Sequence, residues 1–530
     1  MTRLAPLYIG TDEARTELTA EVAGGKASLL WRMSRLGLNV PPAFVLPTGL
    51  CAAVNRGEGD ALSRVDKGLR DGIGRLEEAT GRRFGDTRAP LLVSVRSGAA
   101  QSMPGMLETI LDVGLNSETV HGLIRLTGNP RLAFDSFRRF IQMFAEVVEG
   151  VPAAPFEAAT TAMIQAEAVA GEAELDSEAL ERLTHEFQAI VLRESGRPVP
   201  EEPMEQLAAA ARAVFRSWEG DKAKEYRRLN KLEHLAGTAV TVQAMVFGNG
   251  GGKSGSGVAF SRNPATGAKE LYVDFLFNAQ GEDVVAGRRM PSNATLLAAR
   301  LPEVAAELKA GITRLEQENR DLQDVEFTVE DGRLFFLQTR AGKRTPRAAL
   351  RVLVDFVEEG LLDPVTALKR AESIDLDRAG SIRFADEAPA VANAVAASPG
   401  VASGRIAFDS ARAKALAAEG EPVILVRHDT STEDVAGFAV AAGILTAVGG
   451  RTAHAAVVAR QLGKVCLVGC KELVIDQAGQ GGSIAGHKLA EGDWLSLDGE
   501  AGTVSLGRRE IVIERPEQAI AALEAWRKAG

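Results

Sequence analysis

Two stretches of this chain combine residue types that can do chemistry. The first is Gly449-Gly450-Arg451-Thr452-Ala453-His454-Ala455-Ala456-Val457-Val458-Ala459-Arg460, which sets one of only six histidines after a Gly-Gly turn and at the head of an apolar helical run. A helix N-terminus carries unpaired N–H groups and a partial positive charge, which suits a phosphate. Imidazole is a nucleophile when neutral, and the same helix field disfavours the imidazolium form. A histidine so placed could accept a phosphoryl group and hold the resulting anion. Read from these residues alone, a plain helix-cap histidine fits equally well.

The second stretch is Asp324-Val325-Glu326-Phe327 with Phe336-Leu337-Gln338-Thr339-Arg340, two strand-like runs around Asp331-Gly332, which predicts a β-hairpin. Residues two apart on a strand share a face, so Asp324 and Glu326 project together, as do Gln338 and Arg340. Adjacent carboxylates bind Mg²⁺ through oxygen, and Mg²⁺ bridges phosphates. The polar face of an exposed hairpin is the plainer reading of the same residues. A third feature, Gly248-Asn249-Gly250-Gly251-Gly252-Lys253-Ser254-Gly255-Ser256-Gly257, is a glycine-rich loop between two strands. Such backbone closes readily on phosphate oxygens. It is not a P-loop: Phe247 stands where the first glycine is required, and a strand-like run follows where a helix is needed. A hairpin lid over a nucleotide and an ordinary surface loop both fit.

These groups need a scaffold of several elements. A chain of 530 residues predicts about two to four domains. Residues 1 to 115 mix short apolar runs with turn signals and read as an α/β lobe. Residues 117–235 are Ala/Glu/Arg-rich with helical spacing, as in Leu180, Leu183, Phe187 and Ile190 on one face, and read as a helical insertion. Strand patterns return from Thr238. Residues 341–395 read as a helical linker ending in the low-complexity stretch Ala388 to Ala397, 396–507 as a compact unit of strands and glycine turns, and 508–530 as a terminal helix. The net charge of −10 without a dense basic block argues against nucleic acid as a partner. Three cysteines make no disulfide framework, the start lacks the pattern of a signal peptide, and the apolar stretch 436–448 is too short to span a bilayer. A cytoplasmic protein without membrane contact is expected.

The histidine segment closely resembles the phosphohistidine loop of the phosphoenolpyruvate-utilising enzymes. Gly24-Gly25-Lys26, Ser94-Val95-Arg96-Ser97-Gly98-Ala99, Ser102-Met103-Pro104-Gly105-Met106, Asn278-Ala279-Gln280-Gly281-Glu282-Asp283-Val284-Val285-Ala286-Gly287 and the Glu326 to Arg340 hairpin resemble the pyruvate phosphate dikinases, in order, from residue 20 to about 505. The resemblance implies an α/β multidomain fold: an ATP-grasp-like nucleotide domain over 1–340 and a swivelling phosphohistidine domain. It further implies that Lys26 and Arg96 grip ATP phosphates and Arg340 the transferring phosphoryl group. Glu326 and Gln338 would hold Mg²⁺ with help from Asp324, and the strand from Gln243 to Val246 would bond the adenine through its backbone. His454 would be the phosphoryl carrier, with ATP and phosphate giving AMP and pyrophosphate. Thr452 stands where plant-type dikinases are phosphorylated and switched off, although a capping hydroxyl serves equally at that position.

The sequence also departs from that family. Only 76 residues follow His454, whereas the pyruvate-binding barrel of the dikinases would need roughly 250. No cysteine follows Cys470, so the proton-donating cysteine of that barrel is missing too. The expectation is a barrel on a separate partner protein. The alternatives are a phosphotransferase to a non-pyruvate acceptor and a nucleotide-sensing phosphorelay protein; the oligomeric state is open. Arg451 stands where dikinases usually have Met.

Overall fold

Strand and helix patterns sort into two compact units, Met1–Gly250 with Phe335–Gln338, and Gly251–Leu334 with Thr339–Gly530. The computed structural model describes residues 5–10, 17–101, 103, 107–169, 171–281, 284, 294–376, 379–430, 434–450, 453–476, 481–514 and 516–529. Among these residues no helix is long and apolar enough to cross a membrane.

The first unit is built on β1 (Leu7–Ile9), β2 (Ala43–Leu46), β3 (Val93–Ala99), β4 (Thr109–Val113) and β5 (Thr238–Ala244), in the order β1-β2-β5-β3-β4. Every residue of β5 is buried, as its place between antiparallel β2 and β3 requires. Helix α1 (Gly25–Arg35) precedes β2. The interval read as helical holds α2 (Thr119–Thr127), α3 (Pro130–Phe144), α4 (Ala154–Ala166), α5 (Ser177–Ser195), α6 (Pro203–Ser217) and α7 (Asp221–Leu229). Asn129 starts α3 by local rules: its Oδ1 accepts from the Leu132 N–H at 3.0 Å, and Pro130 occupies the first turn. The Leu180, Leu183, Phe187, Ile190 stripe of α5 is buried in the core that the helices share with the sheet.

The second unit contains β6 (Gly255–Phe260), β7 (Tyr272–Phe277), α8 (Pro302–Asn319), β8 (Gln323–Glu330) and both ends of β9 (Arg333–Ala341), with sheet order β9-β8-β6-β7. Asp331 and Gly332 have φ of 47° and 78°, the left-handed pair that matches the twist of a two-residue hairpin. The glycine-rich loop, however, is no hairpin lid. Its flanking strands β5 and β6 belong to different sheets, and the loop is where the chain leaves one unit for the other. Local patterning shows that two strands flank a loop but not whether they pair.

Helices α9 (Pro346–Glu358) and α10 (Pro364–Ala371) follow, started by Thr345 and Asp363, whose side chains accept from Ala348 and Thr366 N–H groups. The linker ends there. Ala388 to Ala397, read as its tail, supplies strands of the next sheet instead. That sheet holds β11 (Ala392–Asn393), β12 (Val395–Ser398), β13 (Val401–Ala407), β14 (Val423–Arg427), β15 (Gly443–Thr446), β16 (Val465–Val468), β17 (Trp494–Asp498) and β18 (Thr503–Leu506), in the order β11-β18-β17-β13-β14-β15-β16-β12. Its two edge strands, β11 and β12, are separated by Ala394 alone. Two Cα steps span at most about 7 Å, so the sheet must curl until its edges nearly meet. The run Ile511-Val512-Ile513, expected to be helical, is β-branched and forms β19 (Ile511–Glu514), paired with β10 (Ser381–Phe384); helix α11 (Glu517–Ala529) comes after it.

Candidate functional site

The hairpin carries its polar groups on one face. Glu326 lies opposite Val258 and Asp324 opposite Phe260 on β6, and those two in turn face Asp274 and Tyr272 on β7. Arg340 closes over the two acids: its Nε donates to Asp324 Oδ2 at 2.8 Å, and its Nη1 lies 3.5 Å from Glu326 Oε1. The other oxygen of Asp324, Oδ1, is buried without a hydrogen-bond partner. Burial pushes the Asp324 carboxyl above the ordinary 3.8, and the neighbouring guanidinium offsets this only in part. Burial and the Arg340 charge likewise push the Lys343 ammonium down. The cluster therefore holds two oxygen donors, one with an unused lone pair, and a half-exposed guanidinium.

A hard divalent cation suits those oxygens. The orphaned Asp324 Oδ1 with Glu326 two residues along fits Mg²⁺, although no group of three or more His, Cys, Asp or Glu residues among the described residues is arranged to hold an ion. When bound, such an ion would neutralise phosphate charge. Gln338, expected to share that role, falls in the Phe335–Gln338 stretch that clusters with the first unit.

The backbone of His454 opens α12 (His454–Leu462), in the same unit as the hairpin. The N-cap is Ala453, which has no side chain able to cap, and no side-chain cap bond is made. Ala453 N–H bonds to Gly450 O at 3.0 Å, and Gly449 turns at φ 110°. Ala455, Ala456 and Ala459 are buried against the sheet, and their small size lets the helix approach it. Thr452 and Arg451 lie outside the described residues, as do Ser102, Pro104 to Met106, Glu282, Asp283 and Val285 to Gly287.

In the first unit, Gly24 has φ 79°, and a Cβ there would come within 2.0 Å of the Gly98 carbonyl oxygen. Glycine is obligatory at this contact. It seats the amino end of α1, with Lys26 in its first turn, against the end of β3. Arg96 lies two residues before Gly98 on the same strand, and its Nε is buried without a partner. The adenine strand needs correction. Gln243 sits between β2 and β3, its carbonyl within 3.5 Å of Ser94 Oγ and its side-chain amide donating to Pro41 O at 3.1 Å. The N–H groups of Ala244 and Met245 are bonded to Pro42 O and Leu92 O. A central strand spends its backbone on its neighbours, so Gln243 has none for a ligand; Val246 is the first residue past that ladder.

Sequence reasoning passed over two features. Asp274 is a lone carboxylate in an apolar strand, 3% exposed, and the rarity of a charge there was the available signal. On α3, Arg138 is buried and bonded to Asp135 at 2.6 Å and to Glu172, with Arg139 also on Asp135 at 3.2 Å. No motif marked them, since their partners meet only across the folded helices.

Two family models match the chain. The description "Pyruvate phosphate dikinase, AMP/ATP-binding domain" applies to residues 61–307, and "PEP-utilising enzyme, mobile domain" to residues 419–502, which contain His454. This chain belongs to the pyruvate phosphate dikinase family. The pyruvate, phosphate dikinase of Clostridium symbiosum is 45% identical over 489 residues, 91% of this chain and 56% of the relative. A chloroplastic pyruvate, phosphate dikinase 1 of Zea mays is 44% identical over 499 residues, 93% of this chain and 52% of the relative. That of Flaveria pringlei is 41% identical over 521 residues, 98% and 54% respectively. The chain thus spans about half the length of the dikinases it matches. The α/β multidomain class read from the sequence agrees with these matches and with the mixed sheets and helices described.

Proposed function

We propose that these residues perform the nucleotide half of a dikinase reaction. ATP and inorganic phosphate would be converted to AMP and pyrophosphate: the γ-phosphoryl joins phosphate, the β-phosphoryl joins the His454 imidazole, and AMP leaves. Onward transfer to pyruvate would take place on a barrel beyond these residues. One observation carries this reading. His454 opens a helix whose N-cap, Ala453, provides no side-chain cap among the described residues, in the same compact unit as Asp324, Glu326 and Arg340. An uncapped N-terminus is suited to the phosphoryl anion that the carrier would bear.

The other residues have parts that follow from their charge. Arg340 would exchange its carboxylates for phosphate oxygens, stabilising charge as it develops. Asp324 and Glu326, freed from it, would hold Mg²⁺ with Gln338. Lys26 and Arg96 would take ATP phosphates, and Val246 would meet the adenine. The test uses ATP labelled in its β-phosphate. Wild-type protein should acquire acid-labile label in the presence of Mg²⁺ and phosphate. His454→Asn should acquire none and still bind ATP, because the histidine and the nucleotide groups stand on different elements. Equal labelling of the variant would remove His454 from the mechanism.

A further inference from the structure

Arg460 lies six residues after His454 on α12 and is 1% exposed. Its Nη1 donates to the Ala397 carbonyl at 2.8 Å, which ties it to β12 of the histidine-bearing sheet. Its Nε makes no hydrogen bond. The guanidinium carbon lies 5.9 Å from the centre of the Phe260 ring, and Phe260 belongs to the hairpin sheet of this unit, on β6. Phe260 is the register partner of Asp324. Residues directly opposite across an antiparallel pair share a face, so Arg460 reaches the face that bears Asp324.

The two sheets thus meet at a buried cation with a spare N–H, on the face that bears a buried carboxylate with a spare oxygen, Asp324 Oδ1. A buried charge is costly unless something compensates it, and the Phe260 ring provides compensation only while the two sheets are together. An ion pair at the surface, Arg347 of α9 to Glu500, joins the same parts. Its partners are part-exposed, so it contributes little.

We propose that Arg460 is a positioning residue that holds the His454 helix on the Phe260–Asp324 row of the nucleotide hairpin sheet. The inference rests on the reading of His454 as phosphoryl carrier, but the contact can be tested without the chemistry. Cysteine substitutions at the exposed Lys309 (on α8) and Lys488 allow paired spin labels, because Cys51, Cys466 and Cys470 are buried. The label-to-label distance should lengthen or broaden in Arg460→Met. It should do so equally in Phe260→Leu, which leaves the Arg460–Ala397 bond intact and guards against simple misfolding of the histidine-bearing sheet.

At saturating ATP, both variants should label His454 about tenfold to a hundredfold more slowly, the usual cost of a misplaced reactant. ATP affinity should stay at the wild-type value, and Arg460→Lys should recover part of the rate. Wild-type distances and rates in both variants would overturn the proposal. A loss of ATP affinity in step with the loss of rate would overturn it too, because it would show a general structural defect. If the distances respond while even wild-type protein takes no label, the docking role stands and the phosphoryl-carrier reading fails.

Discussion

The second unit contains two arginine–carboxylate clusters on one sheet, and they are built to opposite ends. Arg262, just past β6, is 0% exposed; it is bonded to Glu316 and Glu359 at 2.9 Å and to Asp355 at 3.1 Å, and it stacks 4.6 Å from the Phe356 ring. Arg340, on β9, is 49% exposed and holds Asp324 at 2.8 Å and Glu326 at only 3.5 Å, leaving Asp324 Oδ1 unbonded. In the first cluster the guanidinium is saturated by partners of the fold, so its charge serves the fold alone. In the second the charges are only partly matched, so they remain available to a ligand. Saturation separates the structural cluster from the one proposed to take a ligand better than composition does, since both are one arginine among acids.

The largest expected effect concerns the saturated cluster. Arg262→Ala leaves the buried Glu316 carboxylate without its cation and should destabilise the fold by about 3–5 kcal/mol, measured by denaturant unfolding. A near-neutral result would show that the cluster is not the staple joining α8 and α9 to the sheet. The partly matched cluster should respond in activity. Arg340→Ala, and separately Glu326→Ala, should slow β-phosphate labelling of His454 by at least about a hundredfold, because fixed charge around a transferring phosphoryl group is worth several kcal/mol. Wild-type rates would reduce the hairpin to an ordinary polar face.

The smallest effect sharpens the comparison by sign. Asp324 has a folded-state pKa raised above 3.8, chiefly by burial. A raised value favours the protonated folded state, so the contribution to stability is present below 3.8 and is lost as pH rises through the folded value. At pH 7 the ionised Asp324 therefore opposes folding. Asp324→Asn should melt slightly higher than wild type at pH 7, and the gap should narrow as pH falls toward 4. A lower melting temperature at pH 7 would mean that the Arg340 pair, not burial, dominates this carboxylate.

Much of the local layout of the candidate site was legible in the sequence. The Asp331-Gly332 turn, the pairing of Asp324 with Glu326 on one face and the place of His454 at a helix head all follow from spacing within a few residues. The role of Gln243 could not be read, because nothing in its neighbours in sequence reveals that it sits between two strands. The glycine-rich loop misled for a similar reason: glycine reports a permissive backbone, and a crossover between units needs that as much as a lid does. Asp274 and Arg460 were legible only as charges in apolar runs.

What the sequence determined by itself is what short-range sterics and hydrogen bonding decide. The Asn129-Pro130, Thr345-Pro346 and Asp363-Pro364 helix starts belong here, as does the left-handed hairpin turn. Tertiary structure alone decided which charges are spent. The partners of Arg262 stand 54, 93 and 97 residues away along the chain. The sheet that carries His454 curls because Asn393 and Val395, neighbours across one alanine, belong to its two opposite edge strands. Whether a polar group is buried and whether a partner reaches it depend on elements far apart in sequence, and no local pattern encodes that.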